Sequence, residues 1–230
     1  MKSPSIIFDL DGTLFDSRES ILSSIYFAFA KLGRSEKVDE IKALRQDLWT
    51  TLRETGERYG TRFSDEERFR FIQTYRAHQK DTIAKMLKPF ESVPDVLADL
   101  GKSFSLGVAT TKTTEQAVHI LEEFKLDQFF GHIQGTDKGL RYKPAPDILL
   151  RTMDKLNNAG GLAAYVGDSP HDLLSAKNAG MLSIGAVYGY SELHELESET
   201  PDYVIHQFDE LLAIKDRLFL GASSEKALIS

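Results

Sequence analysis

The sequence predicts an α/β protein with a Rossmann-like, doubly wound parallel sheet and an inserted α-helical domain. Three observations support this fold class. Short apolar segments recur along the chain, helical patterns alternate with them, and one long stretch, 17–88, carries helical patterns alone. Alternating buried strands and helices indicate a parallel sheet that helices cover on both faces. With 230 residues, 41% of them hydrophobic, the chain can bury a sizeable core.

Six segments are predicted to be strands because they are short, apolar and bounded by Gly, Asp or Thr. They are Ser5–Phe8, Phe104–Ala109, His132–Gly135, Ala163–Val166, Leu182–Val187 and Tyr203–Ile205. Helical patterns lie between them, and several begin with polar residues or Pro. They are Val93–Lys102, Thr113–Phe124, Ile148–Asn157, Leu173–Ala179 and Asp209–Leu218. The predicted core domain therefore comprises residues 1–16 and 89–220.

Residues 17–88 contain four helix-like segments without a strand pattern, and we expect them to form a separate helical domain. The last ten residues, 221–230, are small and polar, and they are expected to form a flexible tail.

Charge and composition narrow the class of protein. The 28 basic and 35 acidic residues give a net charge of -7, which provides no general attraction to nucleic acid or anionic membranes. Cys is absent, which excludes disulfides, thiolate metal sites and a Cys nucleophile. The apolar runs are too short for a signal peptide or a membrane span. We therefore expect a soluble, cytoplasmic protein, either a monomer or a homodimer.

The first predicted strand runs directly into the segment Asp9-Leu10-Asp11-Gly12-Thr13-Leu14. Gly12 permits a sharp turn that would bring Asp9 and Asp11 to the same rim of the sheet. Converging carboxylates repel each other unless a cation or a shared proton offsets their charge. Asp and Gly are also ordinary turn residues after a strand, so this motif alone leaves a purely structural interpretation open.

Polar residues follow three further strands at the edge where open α/β sheets bind ligands. Thr110 and Thr111 end one strand, Lys143 precedes a helix after the next, and Asp168 and Asp172 flank a third strand-to-helix turn. Taken singly, the threonines could cap a helix and the lysine could lie on the surface. Several carboxylates in one place require a cation, and hard oxygen ligands suit Mg²⁺.

Together these motifs resemble the phosphatase branch of the haloacid dehalogenase superfamily, and the resemblance spans nearly the whole chain. The helical insertion resembles the cap domain of phosphoglycolate phosphatases. The matching positions are Asp9-Leu10-Asp11-Gly12-Thr13-Leu14, Thr110, Lys143-Pro144, Gly167-Asp168-Ser169, Asp172, Ala176, Ala179 and Gly180.

The resemblance implies catalytic roles. Asp9 would attack phosphorus and form an aspartyl-phosphate. Asp11 would protonate the leaving oxygen and then activate the hydrolytic water. Thr110 and neighbouring backbone N–H groups would hold the phosphoryl oxygens. Lys143 would neutralise their charge and keep Asp9 ionised.

The resemblance also implies a Mg²⁺ site formed by Asp9, the backbone carbonyl of Asp11, and Asp168. Asp172 would order Lys143 or a metal-bound water. The loop residues Gly12 and Thr111 would join Thr110 in binding the substrate.

Two departures from the family pattern affect specificity. Thr111 stands where the family often has Asn, which removes an amide contact to Asp11 or substrate. The segment 44–48 lacks the Gly and Pro that phosphoglycolate phosphatases tend to carry there. Within it, Arg45 has two interpretations: a clamp on a substrate carboxylate or second phosphate, or an exposed or ion-paired helix residue.

The predicted function is hydrolysis of a small phosphate monoester, such as phosphoglycolate or another phosphorylated metabolite. A phosphomutase of the β-phosphoglucomutase kind would share the same core residues and stays an alternative. A catalytically inactive regulatory protein is a third possibility, although such proteins should have lost an essential group, and here all of them are present.

Overall fold

The computed structural model describes residues 3–34 and 63–220. The chain divides into two compact units: Met1–Phe15 with Pro89–Ser230, and Asp16–Lys88. The predicted clamp residue Arg45 and the predicted tail 221–230 lie outside the described residues.

The larger unit is built on one parallel sheet of six strands. The described strands, in chain order, are β1 Ser5–Phe8, β2 Phe15–Asp16, β3 Lys88–Pro89, β4 Ser105–Ala109, β5 His132–Gln134, β6 Ala163–Gly167, β7 Leu182–Ala186 and β8 Tyr203–Ile205. The six-stranded sheet has the order β5-β4-β1-β6-β7-β8, and β2 pairs with β3. Phe8 of β1 is in register with Val108 of β4 and Val166 of β6. The residues that follow these three strands therefore emerge at one edge.

Helices cover the sheet, and their ends follow local sequence signals. The described helices are α1 Arg18–Lys31, α2 Asp65–Met86, α3 Val93–Leu100, α4 Thr114–Glu123, α5 Asp147–Lys155, α6 Pro170–Asn178, α7 Leu193–Ser198 and α8 Glu210–Ile214, with a 3₁₀ turn at Asp127–Phe129. Helix α6 begins three residues before the predicted start because Ser169 caps it and Pro170 occupies its first turn. The predicted Rossmann-like α/β fold is confirmed.

Strand β1 is buried on both faces, which explains its continuous apolar sequence. Ile7 belongs to a core cluster with Ile148, Met153 and Tyr165. The ring of Phe8 lies on the opposite face, since successive side chains of a strand alternate. Its centroid is 6.3 Å from that of Phe130 and 5.8 Å from that of Phe208. These contacts fix the strand that leads into the Asp-rich turn.

The helices described in the smaller unit are α1 and α2. Phe29 packs against Phe71, with ring centroids 4.8 Å apart, and Ser24 Oγ lies 3.0 Å from His78 Nδ1.

In the described part of the chain, no helix is both long enough and apolar enough to cross a membrane.

Candidate active site

A tight turn follows β1 and carries Asp9 and Asp11. The backbone N–H of Asp9 donates to Val166 O at 2.9 Å, so Asp9 still belongs to the sheet ladder. The chain then folds back: Gly12 N donates to Phe15 O at 2.8 Å. Gly12 has φ +77°, a left-handed conformation that glycine adopts without steric cost. The turn therefore depends on glycine at this position.

The buried ammonium group of Lys143 is surrounded by three oxygen atoms. Its Nζ lies 2.9 Å from Asp9 Oδ1 and 2.5 Å from Asp172 Oδ1, and it donates to Tyr165 Oη at 2.9 Å. All four side chains are buried. The structure thus brings together Asp9, Lys143 and Asp172, which the sequence separates widely.

The start of α6 orients Asp172. Asp172 Oδ2 accepts hydrogen bonds from Ser169 N at 3.0 Å and Ser169 Oγ at 2.5 Å, and Asp172 N donates to Ser169 Oγ at 3.3 Å. This reciprocal arrangement is a capping box. Because Ser169 holds Oδ2, the other oxygen, Oδ1, faces Lys143.

Asp168 follows β6 and is held by the backbone around it. Its Oδ2 accepts from Tyr190 N at 2.9 Å, and its Oδ1 accepts from Thr13 Oγ1 at 3.4 Å. A Cβ atom on Gly12 would lie 2.1 Å from Asp168 Oδ2. Glycine at position 12 therefore serves two purposes, since it forms the turn and leaves room for this carboxylate.

Burial and crowding perturb the titration of this cluster. Burial raises the pKa of Asp9 to about 7; Lys143 opposes this rise, and Asp172 and Asp11 add to it. Burial, together with the charges of Asp172 and Asp9, also raises the pKa of Asp168 well above its usual value. Burial alone would lower the pKa of Lys143, but the two neighbouring carboxylates outweigh it and raise that pKa. One ammonium group thus faces an excess of carboxylates.

The excess of negative charge fits a divalent cation. Asp9, Asp168 and Asp172 each offer a carboxylate oxygen, and these oxygens lie within 4.8 Å of one another. The Asp11 carboxylate does not belong to this cluster; the contact expected from Asp11 involves its backbone carbonyl. A buried set of hard oxygen donors is the kind of site that Mg²⁺, Mn²⁺ or Ca²⁺ favours.

The Asp11 carboxylate has a basic partner of its own. Asp11 Oδ2 lies 3.0 Å from Lys112 Nζ, and the two side chains are only 16% and 8% exposed. Among the described residues, no group donates a hydrogen bond to Asp11 Oδ1, which is buried. Sequence reasoning assigned no role to Lys112, although it directly follows the singled-out Thr110-Thr111 pair. The signal for a role in the site is its position just after β4, at the sheet edge where the other site residues lie.

Thr110 is buried at the end of β4, beside the turn that follows β1. Its N–H donates to Gln134 O at 3.0 Å, and its Oγ1 accepts from Lys112 N at 3.3 Å. Thr113 provides the N-cap of α4, so Thr110 and Thr111 lie in the preceding loop and do not cap the helix.

The comparisons with known proteins agree with this geometry. The family model for haloacid dehalogenase-like hydrolases matches residues 6–186. This chain belongs to the haloacid dehalogenase-like hydrolase family. Its predicted family membership and its predicted class of enzyme are therefore confirmed.

Relatives of the chain include a pyrophosphatase, a phosphoglycolate phosphatase and a haloacid dehalogenase-like hydrolase. A pyrophosphatase PpaX from Halalkalibacterium halodurans is 33% identical, with 93% of this chain and 97% of the relative covered. A phosphoglycolate phosphatase from Aquifex aeolicus is 29% identical over 92% of this chain and 96% of the relative. A haloacid dehalogenase-like hydrolase from Streptococcus pneumoniae has a solved structure that is 26% identical, with a TM-score of 0.78 and coverage of 93% and 98%.

Gly12→Ala should disrupt this haloacid dehalogenase-like site because the added Cβ both strains the turn and displaces Asp168. If Asp168 is one of the oxygen donors of a cation site, the affinity for Mn²⁺ or Mg²⁺, measured by isothermal titration calorimetry, should fall at least about tenfold, since its carboxylate is displaced. Gly160→Ala is the matched control, because Gly160 has φ +70° and an added Cβ there would have no atom within 4 Å. Unchanged metal affinity in Gly12→Ala, or an equal loss in both variants, would contradict the role of the Asp168 contact.

Proposed function

We propose that the chain is a Mg²⁺-dependent phosphatase that hydrolyses small phosphate monoesters through an aspartyl-phosphate on Asp9. The observation that carries this proposal is the buried Lys143 ammonium group between Asp9 and Asp172. Burying a lysine and two carboxylates removes three charges from water, which costs free energy. Such buried charged groups are concentrated at functional sites.

The first step follows from the positions of Asp9 and Lys143. An Asp9 oxygen attacks phosphorus, and the bond between phosphorus and the leaving oxygen breaks. Lys143 stabilises the negative charge at the phosphoryl group, and the hydroxyl of Thr110 and the backbone N–H of Thr111 are offered to its oxygens. Asp11 gives its proton to the leaving oxygen, so the alcohol departs neutral.

The second step uses the same residues in reverse roles. Asp11, now ionised, removes a proton from water, and the resulting hydroxide attacks phosphorus. The bond between phosphorus and the Asp9 oxygen breaks, which releases inorganic phosphate and regenerates the carboxylate. Lys112 Nζ lies 3.0 Å from Asp11 Oδ2 and places a positive charge beside this carboxylate.

Asp9 and Asp168, with the Asp11 backbone carbonyl, would hold the Mg²⁺, and Asp172 would remain the partner of Lys143. When bound, this cation offsets the negative charge of the phosphoryl group and the carboxylates. The chain itself contributes the fixed geometry, through the α6 cap at Asp172 and the Tyr190 N–H on Asp168.

The substrate class is a small phosphorylated metabolite, and phosphoglycolate-like or pyrophosphate-like compounds are the first to test. The names of the relatives support this range. In this proposal, residues 17–88 form the cap domain, and Gly12, Thr111 and Arg45 contribute to substrate binding. A screen of some tens of phosphorylated metabolites with Mg²⁺, read by release of inorganic phosphate, identifies the preferred substrate.

Asp11→Asn tests the two-step mechanism. A nitrophenolate is a weak base and leaves without an acid, whereas hydrolysis of the aspartyl-phosphate still needs a base. With p-nitrophenyl phosphate and Mg²⁺, we expect a rapid burst of about one equivalent of nitrophenol, followed by a steady state slower by roughly 10²–10⁴ than that of the wild type.

On an alkyl phosphate both steps need Asp11, so the same variant should show no burst. Acid-quenched protein from the nitrophenyl reaction should carry phosphate on the peptide that contains Asp9. If the variant binds Mg²⁺ normally but gives neither a burst nor trapped phosphate, the proposed mechanism is wrong.

A further inference from the structure

Tyr165 supplies the one neutral oxygen among the three that surround the Lys143 ammonium group in the described structure. Its side chain lies in the middle of β6 and is fully buried. The hydroxyl accepts a hydrogen bond from Lys143 Nζ at 2.9 Å and donates one to Ala109 O at 2.7 Å. Asp172 Oδ1 lies 3.2 Å from the same hydroxyl oxygen. Tyr165 thus contacts the site without carrying charge.

Packing alone does not explain the hydroxyl group. The ring belongs to the apolar cluster that includes Ile7 and Ile148, where phenylalanine would fill almost the same volume. A buried hydroxyl requires hydrogen-bond partners and is costly without them. Here both partners matter to the site, because Ala109 immediately precedes Thr110 and Lys143 contacts Asp9. The hydroxyl links the end of β4 to the ammonium group.

The number of acceptors explains what the hydroxyl does. A lysine ammonium group has three N–H donors on a flexible side chain. Asp172 Oδ1 accepts one hydrogen bond from this group, and Asp9 Oδ1 faces it at 2.9 Å as an ion-pair partner. With that one hydrogen bond the ammonium group could still rotate, and the Tyr165 hydroxyl adds a second acceptor that fixes its orientation. Because this acceptor is neutral, it orients the ammonium without further offsetting its positive charge.

We propose that Tyr165 is a positioning residue that orients Lys143 toward Asp9 and the transferring phosphoryl group. This inference rests on the proposed phosphatase function. It concerns only the hydroxyl oxygen, so Tyr165→Phe is a test that preserves the packed ring.

Tyr165→Phe should lower kcat on p-nitrophenyl phosphate with Mg²⁺ by about 10- to 30-fold, the effect of losing one hydrogen bond to a charged group. KM should stay within about twofold, since Lys143 acts on charge that develops during phosphoryl transfer. Tyr203→Phe is the matched control, because Tyr203 lies in the edge strand β8 and is only half-buried. Wild-type kcat in Tyr165→Phe would overturn the inference.

A second pair of variants separates positioning from a general effect on the fold. If Tyr165 acts through Lys143, adding Tyr165→Phe to Lys143→Met should change kcat by less than about twofold, because the group being oriented is gone. A loss of about tenfold or more in both backgrounds would mean that Tyr165 acts independently, and the inference would be wrong.

The ammonium group can also be observed without any turnover. In ¹⁵N-lysine-labelled protein, the Lys143 ammonium resonance, assigned by its disappearance in Lys143→Met, should exchange with solvent at least about tenfold faster in Tyr165→Phe. Unchanged exchange would overturn the inference. If wild-type protein turned over no phosphate ester while this exchange effect was present, the proposed function would fail and the positioning role would stand.

Discussion

Asp9→Asn should reduce turnover of every phosphate ester by at least about 10⁴-fold, because an amide is neither an effective nucleophile nor an anionic metal ligand. Turnover of p-nitrophenyl phosphate with Mg²⁺ measures this directly, with mass spectrometry to exclude deamidation to Asp. Asp95→Asn, a change of the same type at an exposed position in α3, serves as the control. If the variant retains more than about one hundredth of wild-type activity, Asp9 is not the nucleophile.

When metal is removed, the stability of the same variant relative to the wild type should increase with pH. Burial raises the pKa of Asp9 from 3.8 to about 7, so ionisation of Asp9 opposes folding of the metal-free protein. This cost grows as the pH rises from about 4 and is complete above about 7. Asn carries no charge at any pH. In a chelator, the Tm of Asp9→Asn relative to wild type should therefore be higher at pH 8 than at pH 5. A relative Tm that falls with pH would contradict this assignment.

Lys143→Met should damage activity and stability together. Loss of the ammonium group leaves Asp9 and Asp172 buried without their cation, and breaking a buried ion pair in this way costs about 3–5 kcal/mol. Removing a group that stabilises charge in the transition state lowers kcat by roughly 10²–10³. Chemical denaturation in a chelator and kcat with Mg²⁺ give the two measurements.

The control for this variant is Lys155→Met, in which an exposed lysine of α5 loses its charge. We expect added Mg²⁺ to restore part of the stability of Lys143→Met, because a bound cation replaces some of the lost positive charge. Phosphorylation of Asp9 at the wild-type rate in Lys143→Met would show that the ammonium group has no part in phosphoryl transfer.

The centre of the sheet could be predicted because β1 and β6 are buried on both faces and their sequences are therefore continuous apolar runs. The strand-terminal positions of Asp9, Thr110 and Asp168 followed from the same reasoning, since parallel strands end at one edge. Helix α7, Leu193–Ser198, was not predicted because six mostly polar residues are too few to show a helical period.

The contacts within the site were harder to predict from sequence. Tyr165 has the pattern of a core residue, and only the folded chain brings its hydroxyl to Lys143. Lys112 was equally inconspicuous, because a lysine after a strand is usually on the surface. Sequence periodicity indicates which face of a strand or helix a side chain occupies. It does not indicate which side chain, distant in sequence, will contact it.

Asp172 has consequences for any effort to redesign this enzyme. Its Oδ2 accepts hydrogen bonds from Ser169 at the start of α6, and its Oδ1 binds the Lys143 ammonium group, so both oxygens are engaged. An amide at this position would offer a single acceptor for two demands. A directed-evolution library that varies residue 172 would therefore select for stability and activity at once, and it would not separate them. Variants that alter turnover alone are better sought at positions whose side chains take no part in a helix cap.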